Sequence, residues 1–94
     1  MATSITLKED QALKMLSDLE FLVTSLDRIG SADLSEDVRK AEVHNFIIEG
    51  AVFRRLSAMR RQLWDALEGA FPAEKILEIE AKLEKVKAWK VGLQ

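Results

Sequence analysis

The chain has no cysteine, no tyrosine, one proline, four glycines and one histidine in 94 residues. Without cysteine there is no disulfide framework and no thiolate metal site, which suits a reducing compartment, so a cytoplasmic location is the expectation. No apolar run approaches the roughly 18 residues that a membrane span needs. The opening "MATSITLKED" also lacks the basic and apolar regions of an export signal. The missing tyrosine, the few threonines and the absence of sustained alternation argue against strands. The chain is therefore read as all-α. A formal net charge of only −2 disfavours nucleic-acid binding driven by overall charge. Serine and cysteine nucleophile constellations, a glycine-rich phosphate loop and an HExxH motif are all missing. His44 has neither a carboxylate nor a second histidine at i+4, so no metal and no cofactor are expected.

Hydrophobic residues make up 48% of the chain and charged residues 32%, which places it among globular proteins. Three helices in one domain over 1–94 are expected, forming a small antiparallel bundle with a long central helix. The first, about 7–29, opens on a capping-box pattern of Thr6 and Glu9 and closes on Gly30. Its core face is Ala12, Leu16, Leu19, Leu22, Val23, Leu26 and Ile29, with Leu13 and Phe21 on the far side. The second, about 36–70, follows Ser35 as N-cap, with Glu36 and Asp37 in its first turn. A break near Gly50, giving four helices, is the alternative. The third, about 72–91, starts at Pro72 after a tight reversal at Phe71. It carries a seam of Ile76, Ile79, Leu83 and Val86, continued by Trp89 and Leu93, with Glu78 and Lys82 as an ion pair.

The segment "FRRLSAMRRQLWDALEGAF" sets four arginines beside a tryptophan. On a helix Val52, Leu56, Met59, Leu63, Leu67 and Ala70 share one face, widened by Phe53, Trp64 and Phe71, while the arginines scatter. Arg61 is expected to pair with Asp65, and Arg60 falls inside the apolar arc. Arginine with tryptophan is typical of interface anchors. The segment "EVHNFIIEGAV" adds a second apolar stripe of Val43, Phe46, Ile47 and Gly50 on another side. Two apolar sides imply two neighbours, and a second copy is the simplest supplier.

The leading functional expectation is a non-enzymatic protein–protein interaction module, an adaptor, inhibitor, immunity or regulatory subunit. It acts through helix faces on another protein, as a homodimer, with Val43, Phe46, Ile47, Gly50, Arg60 and Trp64 as partner-binding residues. The alternative is a small-molecule-binding or catalytic bundle whose polar pocket is Glu42, Asn45, Glu49 and Arg60. A third reading, a nucleic-acid regulator using Arg54, Arg55 and Arg61, is weaker because those cations do not share one open face.

Overall fold

The computed structural model describes residues 4–92. They form four helices, α1 (Glu9–Ser31), α2 (Glu36–Glu49), α3 (Val52–Ala70) and α4 (Ala73–Leu83), and no strand occurs among the described residues. The expected single helix over 36–70 is two helices, so the alternative with a break near Gly50 is the architecture found. Gly50 stays right-handed at φ −77°, and Ala51 takes the left-handed conformation, φ 51° and ψ 43°. Glycine is needed at 50 for space. A Cβ there would lie 2.6 Å from the Phe46 carbonyl oxygen and 2.9 Å from its ring. The turn is held by Arg55, whose Nε donates to the Gly50 carbonyl at 2.9 Å.

Other ends differ from the sequence-based expectation for local reasons. α1 starts at Glu9, with Lys8 as N-cap. Gln11 supplies the reciprocal arm of the box by accepting from the Lys8 N–H at 3.1 Å, so Thr6 and Glu9 are not the capping pair. Gly30 lies inside α1. The helix end is closed instead by Arg39, which donates to the carbonyls of Ile29, Gly30, Ala32 and Leu34. These are the orphan acceptors of a helix terminus and the turn beyond it. Ser35 caps α2 as expected, accepting from the Val38 N–H at 3.2 Å. α4 ends at Leu83, well short of 91. Val86, Trp89 and Val91 beyond it are 71%, 90% and 72% exposed, and a short helix with no surface to pack on is marginal in water. Leu93, the last member of the expected seam, lies outside the described residues. Glu78 is paired with Lys75 at 3.6 Å rather than with Lys82.

α1 runs antiparallel to α3. Asp18 meets Arg55, and Gln11 shares a cleft with Gln62 and Ala66. α2 packs against α1 through the pair Phe21–Phe46, with ring centroids 5.7 Å apart, and also contacts α3, on which α4 packs. The result is a thin slab of 53 × 37 × 19 Å. Its radius of gyration is 17.4 Å, against about 12 Å for a compact chain of this length. Its accessible surface is 8184 Å², against about 5,500 Å² for a folded monomer of this mass. Leu22 and Met59 are the buried apolar residues among those described.

Candidate interaction surface

The most enclosed polar group is Asp18, 3% exposed. Lys14 donates to both its oxygens at 3.0 and 3.1 Å, and the Arg55 Nη1 donates to Oδ1 at 2.6 Å. The Arg55 guanidinium carbon stands 4.3 Å above the centre of the Phe21 ring, a cation–π contact. Phe21 is thus part of a stack and not an isolated exposed apolar residue. The Lys14 hydrogen bonds, with help from Arg55, hold the Asp18 carboxyl below the ordinary value of 3.8, and burial opposes them without prevailing. A carboxylate so held takes up a proton poorly near neutrality. This cluster joins α1, α3 and the α2–α3 turn.

The polar-pocket residues are not brought together. Glu42, Asn45 and Glu49 are exposed on α2, and none of them lines a principal cavity alongside Arg60. Arg55 is committed to Asp18, while Arg54 and Arg61 are exposed. No Arg61–Asp65 ion pair forms among the described residues. The cleft holding Arg60 and Arg61 also holds Asp65, Glu68 and Glu80, an arrangement of mixed sign and not a track for phosphates.

The expected partner-binding residues fall in two places. Phe46 is turned onto Phe21 with Gly50 beneath it, and Val43 and Ile47 stand 36% and 46% exposed on α2. Arg60 and Trp64 instead flank an open apolar groove formed with Leu56, Met59, Leu63, Leu67 and Leu83.

At about 100° per residue, α1 points Met15, Asp18, Leu22, Ser25 and Ile29 toward its neighbours, and each is buried or half-buried. Most of the expected core face is rotated away. Leu16, Leu19, Val23 and Leu26 remain 42–63% exposed, because contact is made through the Asp18–Arg55 pair at the edge of the apolar arc. For an antiparallel pair with this phase, those four residues lie on the same side as Leu56, Leu63 and Leu67. Lys14, Arg54 and Asp65 lie on the opposite side. One broad face of the slab is therefore apolar, and a contiguous exposed apolar face marks a site of interaction.

Asp18 and Arg39 were not singled out from the sequence, and Arg55 was named there only for the nucleic-acid reading. The available hint for Asp18 was an acid between Met15 and Leu22 on a helical stripe, with Lys14 four residues before it. No helix of the described residues is long and apolar enough to cross a membrane. No family model, curated protein or solved structure matches the chain.

Proposed function

We propose that the chain is a non-enzymatic helical interaction module whose open apolar face is covered by another protein surface. The observation that carries this reading is the excess of accessible surface. At 8184 Å² the chain exposes about 2,700 Å² more than a folded monomer of its mass, whereas a standard protein–protein interface takes only about 800 Å² from each partner. The open face supplies apolar area through Leu16, Leu19, Val23, Leu26, Leu56 and Leu63, each 42–63% exposed, and removing such area from water is the main favourable contribution at interfaces. Arg60 and Trp64 at the margin of the groove supply the residue types that anchor such contacts. The ligand-pocket and nucleic-acid readings receive less support, since their candidate residues are dispersed or already paired.

The test compares two photo-crosslinking probes in cells that produce the protein. A probe at Leu19 or Leu63 is expected to form discrete protein adducts, and one at Arg54, on the opposite side, is expected to form few. Equal yields from the two sides, or none from either, would refute the reading.

A further inference from the structure

Resting on that reading, we infer that the occupant of the open face is a second copy of this chain, docked about a two-fold axis parallel to α1 and α3. Three features of the face select this arrangement.

The first is area. An obligate homodimer buries roughly 2,000–5,000 Å² in total. That is about 1,000–2,500 Å² from each chain, which the excess of about 2,700 Å² per chain can supply.

The second is helix direction. The axis sets α1 of one chain over α3 of the other, and the antiparallel relation inside the chain is repeated across the interface. The four central helices then form a bundle in which every neighbour is antiparallel and identical helices lie on the diagonals. Leu16 and Leu19 of one copy come level with Leu56 and Phe53 of the other. That contact gives a neighbour to Phe53, which is 77% exposed on α3.

The third is charge. Along the outer margin of α1 the same periodicity places Glu9, Glu20 and Asp27, all exposed. The opposite margin carries Arg60 of α3 and Lys82 of α4, also exposed and without an ion pair among the described residues, although Glu80 of α4 shares a cleft with Arg60. A two-fold axis along the helices lays the acidic margin of each copy against the side of the other that carries Arg60 and Lys82, with Arg60 level with the stretch between Glu9 and Glu20. An axis across the helices would lay the acidic margin of one copy on that of the other, and like charges facing each other are strongly disfavoured. Arg60 inside an apolar arc is thereby accounted for, since its methylenes cover leucines and its guanidinium reaches the other chain's carboxylates.

Sedimentation equilibrium through the micromolar range tests this, with circular dichroism to check helicity and an apolar-surface dye to report the open face. The unmodified chain should be a dimer with little dye binding. Leu19→Glu should shift it to monomer. Arg60→Glu should weaken the dimer by about tenfold or more. Adding Glu9→Lys and Glu20→Lys to Arg60→Glu should restore most of that loss, an outcome that a variant which merely misfolds cannot give. A helical monomer that binds the dye would overturn the second copy as occupant while leaving the interaction-module reading in place. A stable monomer without dye binding would overturn both. A dimer indifferent to Leu19→Glu, or one that the charge exchange fails to restore, would overturn this face and axis.

Discussion

Replacing Ala51 by glycine and, separately, Gly50 by alanine perturbs the α2–α3 joint in opposite directions. Ala51 sits at φ 51°, where a side chain raises the energy by about 1–2 kcal/mol. Glycine relieves that strain but gives back about 0.4–1 kcal/mol through a freer unfolded chain. Ala51→Gly should thus stabilise by about 0.5–1 kcal/mol. Gly50→Ala meets the opposite situation, since the new Cβ would lie 2.6 Å from a backbone oxygen and 2.9 Å from the Phe46 ring. Overpacking of this kind costs about 1–3 kcal/mol, partly offset by the same unfolded-chain effect, which leaves a net loss of about 1 kcal/mol or more. In an uninterrupted helix both signs would reverse, because alanine is favoured over glycine by about 0.8–1 kcal/mol at interior positions. Urea unfolding followed by circular dichroism measures both variants, at one fixed protein concentration because association would add its own stability. In thermal melts each kcal/mol corresponds to about 4–8 °C for a domain of this size. Stabilisation by Gly50→Ala together with destabilisation by Ala51→Gly would refute the broken joint.

Three further outcomes are expected. Asp18 has a folded-state pKa below its ordinary 3.8, so its contribution to stability is complete above that value and disappears as pH falls through the lower folded pKa. Asp18→Asn should lower the melting temperature at neutral pH and flatten the acid limb of a stability-versus-pH profile, and an unchanged acid limb would count against the pair. Gln62 carries a buried Oε1 with no partner among the described residues, and an unsatisfied buried acceptor costs about 1–3 kcal/mol. Gln62→Leu should therefore raise the urea midpoint by an amount equivalent to about 1 kcal/mol. Arg39→Met keeps much of the side-chain bulk but removes four donations to the end of α1 and the turn after it. It should destabilise by about 1–3 kcal/mol and speed amide exchange around Ala32 and Leu34, and a wild-type melt with unchanged exchange would exclude the capping role.

The helical class, the Ser35 cap and the reversal at Phe71–Pro72 were legible in the sequence because each depends on residues within one or two turns. Gly50 was visible as the one weak point of the central segment, but the decision there was tertiary. It depends on the Phe46 ring lying over the glycine and on Arg55 reaching the Gly50 carbonyl. Arg39 closes the end of α1 from another helix, a contact that no local capping pattern announces. The apolar arc of α1 could also be read, but which part of it is buried could not. The arc is wider than one neighbouring helix covers, and its orientation is set by Asp18 meeting Arg55, a residue 37 positions away. The sequence by itself determined how much apolar surface the helices carry. Only the packing of α1 on α3 decided which of it the chain hides from water and which it leaves as an open face.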